Sequence, residues 1–265
     1  MAFSDTQRRD LLLAVTDIAD RAGDVIMEVY ETDFDVRQKD DDSPVTEADE
    51  RAESLILPAL RELLPRIPAI GEEAVARNES EMIDGNTFWL VDPVDGTKEF
   101  LRRSGEFTVN IALIEQHNPV LGVVHLPTQG TTFVGYAAGA SLIRDSGAWE
   151  TIACRPKPDA GLTALVSRSH RTPEVDDFLM ELNIKEEISA GSSLKFCRVA
   201  EGIADIYPRF GRTMEWDTAA GHGVLQFAGG QVRQANGDEL TYGKPGFENP
   251  HFVAASDDVF GGLTS

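Results

Sequence analysis

The chain has 265 residues, 42% of them hydrophobic and 26% charged, enough for one or two domains with a large core. Its 24 Lys and Arg stand against 45 Asp and Glu, a net charge of −21, which excludes a general nucleic-acid binder because a phosphate backbone needs a basic footprint. No apolar run approaches the ~18 residues of a membrane span, Met1 to Asp5 lack the basic and apolar regions of a signal peptide, and the two cysteines, Cys154 and Cys197, make neither a metal-ligand spacing nor a disulfide framework. This pattern predicts a cytoplasmic protein with reduced thiols.

Leu11, Leu12, Val15, Ile18, Ala19, Ala22, Val25, Ile26 and Val29 recur at helical spacing, so a long amphipathic helix opens the chain, capped by Ser4 or Asp5. A polar stretch ends at Asp40-Asp41-Asp42-Ser43-Pro44. A second helix is expected from Thr46, where Thr46-Glu47-Ala48-Asp49 has the form of a capping box with Asp in the place of Glu or Gln. Pro65 and Pro68 end it, and Ala69-Ile70 reads as a short buried strand leading into Gly71-Glu72-Glu73. Phe88 to Val91 is a strand running into Asp92-Pro93-Val94-Asp95-Gly96-Thr97. Phe107 to Glu115, Val120 to Leu126, Thr131 to Ala137 and a weaker run at Ser141 to Arg144 then predict an antiparallel sheet. From about residue 160 strands and helices alternate. Strands are expected at Thr163 to Ser167, Glu187 to Ala190 and Ala204 to Pro208. Helices are expected at Pro173 to Leu182, Ser192 to Glu201 and Thr218 to Ala228, the last ended by Gly229-Gly230. The reading is α/β (α+β), an N-terminal α+β part over residues 1–155 and a C-terminal α/β part over 156–265, packed as one body.

Asp92 and Asp95 carry the clearest chemistry. Proline forces a turn between them and glycine permits close backbone approach to a ligand. Two carboxylates held side by side need something positive between them, and oxygen-only ligands suit magnesium or manganese. The Gly96 and Thr97 amides become donors to a phosphate oxygen if a helix begins there. Read alone, the motif fits a surface turn equally well. Glu72 and Glu73 fit a solvated pair, Asp217 a helix N-cap, and Asp49 a support for its own helix. Bound cations would also resolve how so acidic a protein handles anionic phosphates.

Asp92-Pro-Val-Asp-Gly-Thr97, with Gly71-Glu72-Glu73 before it and Trp216-Asp217 far downstream, resembles the lithium-sensitive inositol monophosphatase superfamily. Further segments resemble its bacterial 3′(2′),5′-bisphosphate nucleotidase branch. They are Ser43 to Asp49, Trp89 to Phe100, Gly105 to Ile114, Ser167 to His170, Gly191 to Cys197 and Tyr207 to Gly211. The similarity runs from about residue 10 to about residue 250, and Lys98-Glu99 and Ser-Ser-Leu-Lys depart from plain inositol monophosphatases. The resemblance implies a layered α-β-α-β-α sandwich. It implies two or three magnesium ions, replaceable by manganese, on Glu72, Asp92, Asp95, Asp217 and the Val94 carbonyl. Asp49 and Thr97 would orient and deprotonate the attacking water, with Glu73 beside a ligand rather than one itself. Gly96, Thr97, Lys98, His170, Ser192, Ser193, Lys195, Arg209 and Asp217 would bind substrate, Lys195 and Arg209 holding the phosphate that is not cleaved. Lys195 also fits a solvated helix residue, Arg209 a local ion pair and His170 a loop contact, while Trp216 reads as packing rather than base stacking.

The activity so implied is removal of the 3′ phosphate of adenosine 3′,5′-bisphosphate to give AMP, extending to 3′-phosphoadenylyl sulfate, in sulfur assimilation, with inhibition by lithium. An inositol monophosphatase or a fructose-1,6-bisphosphatase-like sugar phosphatase is the enzymatic alternative. A metal-dependent regulatory protein without catalysis is the other, and the presence of every expected ligand weighs against it. A monomer is expected. The resemblance also leaves room for loose association with the inner membrane surface, for which a charge of −21 gives no electrostatic reason.

Overall fold

The computed structural model of the chain describes residues 4–32, 36–38, 44–83, 85–144, 147–168 and 171–263. Helix α1 (Asp5–Tyr30) is capped by Ser4, whose hydroxyl accepts from the Gln7 amide while the Gln7 side chain accepts from the Ser4 amide. The short antiparallel pair β1 (Val36–Gln38) and β2 (Pro44–Thr46) follows. Thr46 then caps α2 (Glu47–Leu63), with Asp49 completing the reciprocal box.

After α2 come β3 (Ala69–Gly71), α3 (Glu72–Ala76), β4 (Thr87–Asp95), α4 (Thr97–Leu101), β5 (Thr108–Glu115), β6 (Asn118–Leu126), β7 (Thr131–Tyr136), β8 (Gly139–Arg144) and β9 (Trp149–Ile152). The seven strands β3 to β9 lie side by side in chain order, β3 parallel to β4 and the rest antiparallel. Side chains alternate across this sheet. Trp89 and Val91 bury against α1 and α2, while Phe88 and Leu90 bury in the layer behind.

The remainder supplies β10 (Leu162–Ser167), α5 (Pro173–Met180), β11 (Ile184–Ala190), α6 (Leu194–Ala200), β12 (Ile206–Arg209), α7 (Trp216–Phe227), β13 (Gly230–Gln234), β14 (Phe252–Ser256) and α8 (Asp257–Leu263). Its strand order is β11-β10-β12-β14-β13, parallel through β12 and antiparallel beyond. Helices α6 and α7 fill the space between the sheets, where Phe196, Val199, Ala219 and Val224 join one core with Phe133, Leu165 and Phe252. Val175 and Leu179 of α5 and Val259 and Phe260 of α8 cover the outer face. The layers are therefore α-β-α-β-α. The first large sheet ends at Ile152 and the second begins at Leu162, with the α6–α7 core shared by both.

Helix α7 sits backbone to backbone on the seven-stranded sheet. A Cβ on Gly122 would lie 2.3 Å from the Ala220 carbonyl oxygen, and one on Gly135 would lie 2.5 Å from that of Gly223. Any side chain at these two positions would push the helix away.

Several elements correct the sequence expectation. Helix α7 starts at Trp216, not Thr218, with Glu215 as its N-cap residue, so Asp217 is in the first turn rather than the cap. The Met214 amide donates to Asp217 Oδ2 at 2.8 Å, which lets the turn begin earlier. Strand β4 runs through the acidic motif instead of stopping at Val91, because Pro93 is absorbed in a bulge. Strand β11 starts at Ile184, three positions early, on polar residues facing solvent. Strands β1, β2, β9, β13 and β14 and helix α8 were not expected.

Candidate active site

The site begins with that bulge. Asp92 pairs with Asn110 and Asp95 with Thr108, so Pro93 and Val94 together oppose Val109 alone. In a regular strand residues three apart point to opposite faces. One extra residue brings both carboxylates to the face that carries Asn110 and Thr108. Proline has no N–H to offer a ladder and is tolerated at such a point. The Val94 amide turns inward to Asp92 Oδ1 at 3.0 Å. Gly96 follows at φ 92°, a left-handed conformation open to glycine, and lets α4 start at Thr97. The Thr97 hydroxyl is 3.4 Å from the Val94 carbonyl.

Two other segments converge on this turn. Strand β3 ends at Gly71 and delivers Glu72 as the first residue of α3. Helix α7 delivers Asp217 from the other half of the chain. One carboxylate oxygen each from Glu72, Asp92 and Asp217 lie within 4.8 Å of one another. Asp95 stands beside them, accepting from the Ser193 amide at 2.6 Å and from Asn110 Nδ2 at 3.2 Å.

Burial raises the Asp95 carboxyl to about 6, against the pull of Lys195, the Ser193 amide and Asn110. Burial also holds Asp217 well above the carboxylate range, and repulsion from Asp95 and Glu72 adds to it. A set of oxygen donors whose charges oppose one another fits a hard divalent cation, which would replace lost hydration and cancel the repulsion.

The cleft over this cluster has a volume of about 500 Å³, and Glu72, Asp92, Val94, Asp95, Gly96, Thr97, Lys98, Ser192, Lys195, Arg209 and Asp217 all line it. Lys195 is buried in α6, donates to the Ser192 carbonyl at 2.5 Å and lies 5.2 Å from the Tyr207 ring centroid. Burial lowers its ammonium to about 8, opposed by Asp95. Arg209 ends β12, is buried, and donates to the Arg212 carbonyl at 3.1 Å. Two buried cations, with Lys98 and Arg212 besides, therefore share the cleft with the acids.

Ser193 does not line the cleft. Its amide holds Asp95, and its hydroxyl meets Asn110 Oδ1 at 2.6 Å and Thr108 Oγ1 at 2.9 Å. Ser192 bends at φ 40° and donates its hydroxyl to the Glu106 carbonyl at 2.9 Å. Asp49 is buried, does not line the cleft, and accepts from the Thr46 amide at 2.8 Å and the Thr46 hydroxyl at 2.7 Å. Burial pushes it to about 7, the Thr46 bond opposes this, and Glu73 adds to it. No hydrogen bond joins Asp49 to Thr97 among the described residues. His170 lies outside the described residues. Trp216 is buried and packs on Phe247 with ring centroids 5.7 Å apart.

Three supporting residues escaped the sequence reading. Asn110 positions Asp95, and its signal was a polar residue beside Thr108 in an apolar strand. Glu53 is buried on the apolar face of α2 and accepts from the Glu73 amide at 2.8 Å. Glu215 is fully buried beside Trp216, accepts from the Gly243 and Lys244 amides at 2.6 and 2.9 Å, and ties the following loop to the start of α7.

Residues 7–257 match the model of the inositol monophosphatase family. The 3′(2′),5′-bisphosphate nucleotidase CysQ of Salmonella typhimurium is 46% identical over 247 residues, which cover 91% of this chain and 98% of that protein. The enzyme of the same name from Escherichia coli strain K12 is 44% identical over 246 residues, again 91% and 98%. The crystal structure of CysQ from Bacteroides thetaiotaomicron superposes with a TM-score of 0.77 at 38% identity, covering 93% of this chain and 97% of that one.

Proposed function

The chain belongs to the inositol monophosphatase family, and from that premise we propose that it is a cytoplasmic, monomeric 3′(2′),5′-bisphosphate nucleotidase that hydrolyses adenosine 3′,5′-bisphosphate to AMP and phosphate. One observation carries the reading: a single cleft is lined both by the carboxylate cluster and by the buried cations Lys195 and Arg209. A substrate with two phosphate groups needs both ends, one at the reacting centre and one at fixed positive charge. Among the described residues no helix is long and apolar enough to cross a membrane.

Glu72, Asp92, Asp95, Asp217 and the Val94 carbonyl would hold magnesium, which supplies an activated water and neutralises charge developing on the phosphate. Gly96, Thr97 and Lys98 at the start of α4 orient the phosphate that leaves. Thr97 and Asp49 orient the water and take its proton, the Thr97 hydroxyl turning away from a 3.4 Å contact that is too long to hold it firmly. Lys195 and Arg209 bind the retained phosphate, assisted by Ser192, while Ser193 keeps Asp95 in place. His170, which lies outside the described residues, is assigned to the same subsite by the family resemblance.

Magnesium is expected to raise the melting temperature, and by more at pH 8 than at pH 5.5. The carboxyl of Asp95 is raised to about 6 in the metal-free protein and that of Asp217 is raised well above its ordinary value, so protons occupy the ligands at acid pH and compete with the cation. At higher pH the ionised acids repel one another, and the cation removes that repulsion. Magnesium at about one hundred times its Kd adds about 2.7 kcal/mol, or roughly 5–11 °C for a chain of this length. A shift that is missing, or larger at acid pH, would contradict the assignment of these acids.

Substrate choice is tested by phosphate release with magnesium from adenosine 3′,5′-bisphosphate, 3′-phosphoadenylyl sulfate, inositol 1-phosphate and fructose 1,6-bisphosphate. The expected kcat/KM favours the two nucleotides by roughly tenfold or more, about 1.4 kcal/mol or beyond. A comparable preference for either sugar phosphate would replace the nucleotidase reading with a sugar phosphatase.

A further inference from the structure

Glu53 lies one helical turn after Asp49 on α2 and is 2% exposed. It does not line the cleft. Its Oε2 accepts from the amide of Glu73, the neighbour of Glu72, at 2.8 Å. Its Oε1 accepts from Arg77 Nη2 at 3.2 Å, and Arg77 is the residue that ends α3. One carboxylate from α2 therefore grips α3 at both ends.

The fit leaves no slack. A Cβ on Gly71 would stand 2.3 Å from Glu53 Oε2, so the β3–α3 junction closes directly on the carboxylate. Amides in the first turn of a helix have no acceptor within it, and Glu53 supplies one from outside. At five residues α3 is far too short to hold itself together, so its place is set by such tethers. Burying a carboxylate is costly unless it is paired and hydrogen-bonded, and here each oxygen has a partner.

We propose that Glu53 is a positioning residue for the metal centre, fixing Glu72 relative to Asp49 by locking α3 onto α2. The proposal rests on the reading of Glu72 as a magnesium ligand. It gives one helix two tasks, Asp49 assigned to the reaction and Glu53, a turn later, setting Glu72.

The test is calorimetric titration of magnesium into the metal-free full-length protein without substrate, alongside the magnesium half-saturation of turnover. Glu53→Gln keeps the shape and one acceptor oxygen but loses the charge that Arg77 answers. Glu53→Ala loses both contacts. Arg77→Met leaves the amide contact and removes the ion pair. Magnesium Kd is expected to rise roughly tenfold or more in Glu53→Ala, with smaller rises in Glu53→Gln and Arg77→Met. Val259→Ala, in the outer core far from these residues, is the control for plain destabilisation: its melting temperature should fall and its magnesium Kd should stay within about twofold. Should Glu53→Ala not fold, unchanged Kd in both Glu53→Gln and Arg77→Met overturns the proposal. So does a Val259→Ala variant that loses as much affinity as the Glu53 variants. Wild-type protein that takes up no magnesium overturns the reading of Glu72 and this proposal together, whereas tight binding in wild type and variants alike overturns this proposal alone.

Discussion

Asp95→Asn is expected to lower kcat/KM on adenosine 3′,5′-bisphosphate about a thousandfold, or about 4 kcal/mol of transition-state stabilisation, while leaving the fold intact. The asparagine keeps the shape, and its carbonyl can still accept from the Ser193 amide that now lies 2.6 Å from Asp95 Oδ2. What goes is a negative charge beside Asp92, Glu72 and Asp217, and with it, in the proposed site, a donor to the cation. The same loss relieves repulsion in the metal-free state, where Asp95 is one cause of the raised Asp217 carboxyl. The melting temperature without magnesium should therefore hold or rise as activity collapses, a combination that general destabilisation does not produce. Turnover equal to wild type would remove Asp95 from the metal centre. Both readouts come from one preparation.

Gly122→Ala is expected to be strongly destabilising for a single methyl group. The new Cβ would meet the Ala220 carbonyl oxygen at 2.3 Å, and that atom belongs to a helix backbone that cannot swing aside like a side-chain end. Overpacking of this kind costs about 1–3 kcal/mol, or roughly 2–12 °C in melting temperature. Because α7 carries Asp217 in its first turn, lifting the helix also displaces an acid of the cluster. Magnesium affinity should fall with stability in this variant. Gly261→Ala, with open space around its position in α8, is the matched control and should change neither. A Gly122→Ala protein as stable as wild type would show that the α7–sheet contact is looser than the backbone geometry implies.

Residues that had to be apolar made the fold legible. The first helix, the capping box at Thr46 and the antiparallel runs from Phe107 to Arg144 announced themselves by periodicity and turn residues, and the structure places elements there. Strand β13 was invisible because Gly-Gln-Val-Arg-Gln is an edge strand with one buried hydrophobic side chain, Val232. Strand β14 is short and built on two alanines, and only its place between β12 and β13 makes it a strand. Strand β9 is another polar edge. At the site, the motif at Asp92 to Thr97 gave the ligand types but not the bulge that turns both acids to one face. That depends on pairing with β5, a long-range fact. Asn110, Glu53 and Glu215 stayed hidden for a related reason. A buried polar residue in an apolar element signals a task, and the partner that defines the task is distant in the chain.

The cluster draws Asp92 from the first sheet, Glu72 from the short helix α3 that follows its first strand, and Asp217 from a helix that exists only once the second half has been made. During synthesis at about 5–20 residues per second, the ribosome needs about 6–25 s to travel from Asp92 to Asp217. For that interval the nascent chain carries two of the three clustered acids and lacks the third. Read as a metal centre, the site cannot close around its cation until α7 has docked between the sheets. Capture of the cation then falls at the end of folding and locks the finished molecule, so a truncated or stalled chain has neither the clasp nor the catalyst.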